Sequence, residues 1–446
     1  MLYFMRLNSF NIINYEKILK FPYGGFSCEI IEVKSKYLGV LLKILLISEY
    51  FPPDQVGAST RVNILIQALS KNHEITLITG SPHYPKQNTQ LKAWKPINVS
   101  YLGRIKIIRV WMPTIPMNSF FGRILDYNLF ILLSIPGIFL AKKPDIIWAT
   151  SPNVFCGFSA KIASKIHRTK CIIGIEDIWP EAPIELGFIT NKKIIWLARK
   201  LSIISASLGD GISTISDTIT NYYKKLLNND MIFTIPVGIE ENRLKHIKSY
   251  IHKSNDEKKI RVMYSGIFGP AYDFKTLIKA FHLYISNNND NIELIIRGTG
   301  PLKRMIEKWV DIYGDKNIKI ISEYLEINQL NDMLNSADFF VLPMKDNFVS
   351  KTALPTKLFE YLALGKPILV SSEGEPRRLL KNAKAGIFCS PGRIDELEKS
   401  ISNMVLNKLN WEKWGSNGRN YLEENYSQEI IGKLAENAMN KIREKM

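Results

Sequence analysis

From Leu42 onward the apolar residues come in short, nearly continuous runs, and between the runs lie segments with helical spacing. KILLISEYFPP, from Lys43 to Pro53, is such a run closed by a proline turn, the pattern of a strand buried on both faces of a parallel sheet. A helix is predicted over 59–71, the strand HEITLIT over 73–79, and a loop at SPHYP. Further strands are predicted at 105–111, 145–149 and 171–175, with 211–216 as a last short one. Strand alternating with helix implies a doubly wound α/β domain.

The stretch 236–259 turns polar and heavily charged, which marks a connection between domains. Beyond it the alternation resumes, with strands predicted at 260–266, 292–298, 318–322, 338–343 and 367–372. ALPTKLFEYLALGKP, from Ala353 to Pro367, reads as one whole helix. Pro355 suits a first helical position, Gly365 a left-handed cap, and Pro367 forbids continuation. Ile430, Ile431, Leu434 and Ala438 predict a terminal helix that packs back on the first domain. Residues 1–41 hold no sustained period. The expected organisation is an N-terminal extension at 1–41, one doubly wound domain at 42–235, a second at 236–425, and a terminal helix at 426–446.

Composition narrows the class. A chain of 446 residues with 46% hydrophobic content can bury a large core, which excludes a disordered or fibrous protein. Cys28, Cys156, Cys171 and Cys389 are too scattered for a disulfide framework or a zinc site, and a reducing cytoplasm fits them. The net charge is +17, and residues 1–235 carry 27 Lys and Arg against 15 Asp and Glu. A basic first half favours anionic partners. The apolar run at 126–141 is interrupted by Pro136 and flanked by Arg123, Lys142 and Lys143. Two readings stand: a helix lying on an anionic membrane surface, or a helix buried against the sheet.

The candidate chemistry lies where two such domains face each other, because open parallel sheets bind ligands at the carboxyl ends of their strands. On the second side, Gly266 ends one strand in SGIFGP, and Gly298 and Gly300 end another in RGTGP. Turns without side chains admit a ligand to the backbone. The helix start at Pro355, with Lys351 and Lys357 near it, suits a phosphate; an ordinary surface helix is the plainer alternative. On the first side, Gly57 precedes a helix in FPPDQVGASTRV, and Glu176, Asp177 and Glu181 surround Trp179 in GIEDIWPEAPIELGF. Clustered carboxylates beside an aromatic can hold sugar hydroxyls or take a proton, whereas helix capping would be a structural use for Asp177. The chain contains no Asp-x-Asp, no HExxH and no P-loop, which disfavours a metal-clamped nucleotide, and it contains no motif that reads nucleic acid.

Taken together, EYFPPDQVGASTR, GSPHYP, EDIWPEAPIELG, RGTGP and ALPTKLFEYLALGKP resemble the retaining glycosyltransferases of family 4, which have the GT-B fold. The likeness runs from Leu42 to the C-terminus and is strongest to the bacterial surface-polysaccharide subgroup typified by N-acetyl-L-fucosamine transferases. It implies two facing Rossmann-like domains and a nucleotide-sugar donor, UDP-linked, in the second, with no metal and no further cofactor. It implies a polyprenyl-diphosphate-linked glycan as acceptor in the first, in O-antigen or capsule synthesis at the inner face of the cytoplasmic membrane. Glu360 matches the second glutamate of the family's E-x7-E motif, at the donor ribose; Thr356 and Lys357 match its diphosphate positions.

The first motif glutamate is replaced by Thr352, the usual Arg and Lys after the second domain's first strand are absent from GIFGPAYDF, and the second glycine of the first loop is Ala58. The expected catalytic residues are Asp177 and Glu360. Gly266, Gly298, Gly300, Lys351, Thr356 and Lys357 complete the expected donor site, and Gly57, Glu176 and Glu181 join Asp177 on the acceptor side. A nucleotide-sugar 2-epimerase of the same architecture, or a nucleotide-sugar-binding protein without catalysis, are the competing readings.

Overall fold

A computed structural model describes residues 41–54, 56–82, 95–113, 115, 120–185, 187–241, 244, 259–288, 291–313, 316–323 and 325–445. The expected extension at 1–41 thus lies, apart from Leu41, outside the described residues, as does most of the connection at 236–259 and part of SPHYP.

The first sheet has eight strands: β1 (Lys43–Ser48), β2 (Glu74–Gly80), β3 (Ile97–Leu102), β4 (Ile105–Val110), β5 (Ile146–Thr150), β6 (Cys171–Ile175), β7 (Gly211–Thr214) and β8 (Ile232–Thr234), in the spatial order β3-β4-β2-β1-β5-β6-β7-β8. Only β3 is antiparallel to its neighbour. The helices of this half are α1 (Gly57–Leu69), α2 (Phe120–Leu140), α3 (Cys156–His167), α4 (Glu181–Glu185), α5 (Lys192–Ser207) and α6 (Asp217–Leu227).

The second sheet is all parallel, with β9 (Ile260–Ser265), β10 (Ile292–Arg297), β11 (Ile318–Ile321), β12 (Phe339–Pro343), β13 (Ile368–Ser371) and β14 (Gly386–Cys389) in the order β11-β10-β9-β12-β13-β14. Its helices are α7 (Phe274–Asn287), α8 (Lys303–Tyr313), α9 (Ile327–Asn335), α10 (Phe348–Thr352), α11 (Thr356–Ala363), α12 (Glu375–Ala383) and α13 (Ile394–Leu406), followed by α14 (Trp411–Tyr426) and α15 (Gln428–Glu444).

The period of two along β1 sorts its side chains onto two layers. Leu45 and Ile47 share a core with Phe130 and Ile138 of α2, Ala160 of α3 and Ile219 of α6. Leu42, Ile44 and Leu46 face the other way and pack with Val62 and Leu65 of α1 and with Ile431, Ala435, Met439 and Ile442 of α15. The C-terminal helix therefore closes the first half, and helices on both faces explain why the parallel strands are apolar throughout.

Three strands went unanticipated. In β3, INVSYL is exposed almost end to end and pairs only with β4 through the turn at Gly103 and Arg104. β8 and β14, with three and four residues, are too short to show a period, and β7 is not the last strand of its sheet. Pro355, expected at the first helical position, is the extended residue before it (ψ 132°), so that Thr356 begins α11. Gly365 does take the left-handed conformation (φ 63°).

The apolar run is longer than expected. α2 has 21 residues and continues through Pro136. The hydrogen bond that a proline removes would be accepted by the carbonyl four residues earlier, here Leu132. Both residues lie on the solvent side, where water can satisfy that carbonyl. Of the two readings for this run, burial against the sheet holds for the side that carries Phe130, which is buried in the core.

Candidate active site

The expected donor side of the candidate site grows from the ends of β9 and β10. Gly266 (φ 147°) and Gly298 (φ 141°) both hold conformations that L side chains rarely adopt. Their turns are stacked: a Cβ at Gly298 would lie 1.9 Å from the Gly266 carbonyl oxygen. Gly300 packs on the backbone of Phe268, where a Cβ would lie 2.8 Å from the carbonyl oxygen, and Tyr361 of α11 both accepts from the Ser265 N–H (2.9 Å) and donates to its carbonyl (3.0 Å). The two glycine turns and α11 are thereby locked into one cradle.

Lys357 reaches into this cradle across Gly266. Its Nζ donates to Tyr272 Oη (3.0 Å) and stands 4.7 Å and 5.8 Å from the ring centres of Tyr272 and Tyr264. A cation thus occupies the neighbourhood of the β9 turn although the loop itself, GIFGPAYDF, brings none. Glu360 lies one turn further along α11 and acts electrostatically on Arg297 at the end of β10. Burial pushes the Arg297 guanidinium down, Glu360 opposes this, and the buried Arg297 Nε meets no hydrogen-bond acceptor among the described residues. Arg297 escaped the sequence reading, although RGTGP displays it directly before the first glycine.

Two expected donor residues have other surroundings. Lys351 points to Asp346 (2.7 Å), and that hydrogen bond holds its ammonium pKa above the usual value. Thr352, in place of the motif glutamate, turns its hydroxyl to the Val349 carbonyl (3.1 Å), and its own carbonyl accepts from Ser216 of the first half (3.2 Å). Thr356 is the residue that meets the first half at the mouth of the cradle: a Cβ at Gly57 would be 4.0 Å from its Cγ2. Glu185, at the end of α4, accepts from the N–H groups of Phe348 (2.8 Å) and Val349 (3.1 Å) and is a further bridge between the halves.

On the side expected to take the acceptor the three carboxylates separate. Glu176 is ion-paired with the buried Arg61 (3.0 Å) and accepts from Thr150 (3.3 Å); its pKa is raised by burial, against the pull of Arg61. Glu181 forms a bidentate pair with Arg199 (2.9 Å for both contacts). Neither is directed to an open ligand space. Asp177 alone reaches one. It is solvent-accessible at the wall of a recess of about 180 Å³ whose other walls include Arg123, Tyr127, Trp179, Pro183 and Phe188. The surrounding protein raises its pKa, and the charge of Arg61 opposes the rise.

Beneath the recess lies a second acidic group that the sequence did not single out. Glu49 is fully buried, accepts from Asn153 Nδ2 (3.0 Å), and is pushed well above its ordinary pKa by burial and by its hydrogen bond with Asp126. Tyr50 in turn donates to Asp126 (3.3 Å). Within the run EYFPP nothing distinguishes Glu49 from an exposed glutamate; its partner is contributed by α2, 77 residues further on.

Known proteins share this fold. Residues 247–421, the half that holds the cradle, match the family "Glycosyl transferases group 1". The "Putative colanic acid biosynthesis glycosyl transferase WcaI" of Escherichia coli (strain K12) is 23% identical over 410 residues, covering 87% of this chain and 98% of its own. Among solved structures, the sucrose-phosphate synthase of Thermosynechococcus elongatus superposes with a TM-score of 0.67 at 14% identity, over 90% of this chain and 98% of that one. Anabaena Alr3699/HepE, solved in complex with UDP, superposes with a TM-score of 0.64 at 14% identity, over 90% and 100%. The chain has the GT-B fold, with two Rossmann-like sheets, and residues 247–421 of its second half match the group 1 glycosyltransferases.

Proposed function

We propose that the protein transfers a hexose-type residue from a nucleotide-diphosphate donor, UDP-linked, to a polyprenyl-diphosphate-linked glycan, with retention of anomeric configuration. The synthesis served is that of a surface polysaccharide, O-antigen or capsule, at the cytoplasmic face of the membrane. The observation that carries this reading is the convergence of the Gly266 and Gly298 turns, Lys357 and Glu360 on one cradle opposite Gly57. The match of residues 247–421 to group 1 glycosyltransferases, the UDP held by Alr3699/HepE and the polysaccharide role in the name of the Escherichia coli relative support it.

In this reading the nucleoside diphosphate lies over the glycine turns, where side chains would otherwise keep it from the backbone. Glu360 accepts from the ribose hydroxyls. The leaving diphosphate gains negative charge as the glycosidic bond breaks, and Lys357 with the amides at the start of α11 stabilises that charge from fixed positions. Asp177 faces the acceptor hydroxyl and takes its proton, a role suited to a carboxylate whose pKa the protein raises. Glu176 and Glu181, tied to Arg61 and Arg199, shape the acceptor loop instead of contacting substrate. Lys351 approaches the diphosphate only on leaving Asp346.

A panel of UDP-sugars offered with a synthetic polyprenyl-diphosphate acceptor, with products read by mass spectrometry, tests the proposal. A glycosylated acceptor is expected. Epimerised nucleotide sugar formed without acceptor would replace the transferase by a 2-epimerase, and binding without any product would leave a nucleotide-sugar-binding protein.

A further inference from the structure

We infer that the outer surface formed by α2 and α5 is a docking platform for an anionic lipid bilayer. On α2, Phe121, Leu125, Leu132 and Phe139 are 74%, 53%, 62% and 67% exposed. Their spacing of four, seven and seven residues puts them on one stripe, opposite the stripe of Phe130, Ile131, Ser134 and Ile138 that enters the core. A soluble surface rarely leaves so long an apolar row uncovered.

α5 repeats the arrangement with its own chemistry. Ala198, Ser202, Ser205 and Ala206 face inward, and this side cannot be turned out: the Gly157 N–H at the start of α3 donates to Ser205 Oγ (3.2 Å), and a Cβ at Gly157 would lie 2.0 Å from the Ser205 carbonyl oxygen. Trp196 (62% exposed), Leu197 and Ile204 therefore look outward, together with Lys193 and Lys200. Lys200 Nζ stands 5.0 Å from the Trp196 ring centre, a pairing of amphipathic ring and cation suited to the headgroup boundary. Right-handed crossovers put α2, α3 and α5 on the same face of the first sheet, so the two outward stripes belong to one layer.

Charge selects the occupant. Arg123 stands in the first turn of α2, Lys142 and Lys143 follow its last residue, and Lys192, Lys193 and Lys200 stand on α5. α5 has no acidic residue, and the one acid of α2, Asp126, is buried. A second copy of the chain would set these cations against each other, whereas anionic headgroups neutralise them. The segment Phe121–Leu140 has the length and mean hydropathy (1.5) of a membrane-crossing helix, but its inner face is committed to the sheet. It lies on the bilayer and does not cross it. The inference rests on the proposed function only for the idea that a lipid-borne acceptor awaits there.

Co-sedimentation of the full chain with vesicles tests it, using phosphatidylcholine alone and phosphatidylcholine mixed with phosphatidylglycerol at low and high salt. The wild type is expected to pellet with the anionic vesicles and to be partly released by salt. Leu132→Ser with Phe139→Ser should weaken partitioning about tenfold or more, through exposed sites that leave thermal melting unchanged. Lys193→Glu with Lys200→Glu should abolish the preference for phosphatidylglycerol. Leu409→Ser, at a fully exposed site on the donor half, should bind as the wild type. Variants that pellet like the wild type, or a sedimentation-velocity dimer that Leu132→Ser breaks while no vesicles are bound, would overturn the assignment. UDP affinity, measured by calorimetry, separates the two readings: a wild type that binds UDP but no vesicles condemns the platform alone, and one that binds anionic vesicles but no UDP condemns the donor site alone.

Discussion

The side chain of Lys357 passes through the space that a side chain on Gly266 would fill: a Cβ at Gly266 would lie 1.8 Å from Lys357 Cε. The glycine at the end of β9 and the lysine in the first turn of α11 are thus one device, in which the absent side chain of one residue makes the path of the other. That device returns a cation to a region whose own loop lacks it.

Gly266→Ala should therefore act on the donor through Lys357. The new methyl group collides with the lysine stem, and φ near 147° is strained for alanine. UDP affinity should fall about tenfold, and UMP affinity less, because the displaced cation serves the second phosphate. Calorimetry with both nucleotides checks this; equal losses would place Lys357 away from the diphosphate.

Glu360→Ala tests the ribose contact. The position is half-buried at the edge of α11, and alanine favours helix, so folding should survive. Hydrogen bonds to a charged group contribute about 1.5–3 kcal/mol, so UDP binding should weaken by at least about tenfold. Unchanged affinity in a folded variant would remove Glu360 from the donor site.

Asp177→Asn keeps shape and removes the base. Donor binding should stay near the wild-type level while turnover falls about a hundredfold. Because the folded protein raises the Asp177 pKa above its ordinary 3.8, the wild-type rate should climb with pH through a value above that one, and the variant should lack this limb. A rate profile against pH for both proteins decides it.

The buried Glu49 makes stability depend on pH. Its pKa is higher in the folded chain than its ordinary 4.5, so the folded state binds the proton more tightly. The stabilisation is fully present below the ordinary value and is lost as pH rises through the raised one. Glu49→Gln imitates the protonated form, and should be more stable than the wild type by on the order of 1–2 kcal/mol in mild alkali, with a flatter dependence of Tm on pH. A wild-type Tm that does not decline as pH rises above the ordinary glutamate range would mean that folding does not raise the Glu49 pKa.

Legibility in the sequence followed burial. Strands such as CIIGI at Cys171–Ile175, covered on both faces, stand out as apolar runs and were located to the residue. β3 was missed because an exposed antiparallel edge has no need of an apolar run. In the candidate site, the positions of Gly266 and Gly298 at turns after strands and of Lys357 at a helix start were legible, because glycine turns and a proline before a helix are local signals; the ribose role proposed for Glu360 comes from the family resemblance. Glu176 and Glu181 were read alongside Asp177 because all three stand in one short stretch; their separation depends on Arg61 and Arg199, which the chain supplies from elsewhere.

The sequence by itself determined the alternation of strands and helices, the doubly wound halves, the terminal helix that packs back, and the surplus of positive charge in the first half. These follow from the periodicity of side chains along a chain and from composition, and neither requires knowledge of what lies opposite. Tertiary structure decided which cation enters the cradle, which of three carboxylates stays open to a ligand, and which face of α2 meets solvent. Each of those outcomes is set by a partner distant in the chain: Gly266 for Lys357, Arg61 for Glu176, and the core around Phe130 for the exposed row from Phe121 to Phe139.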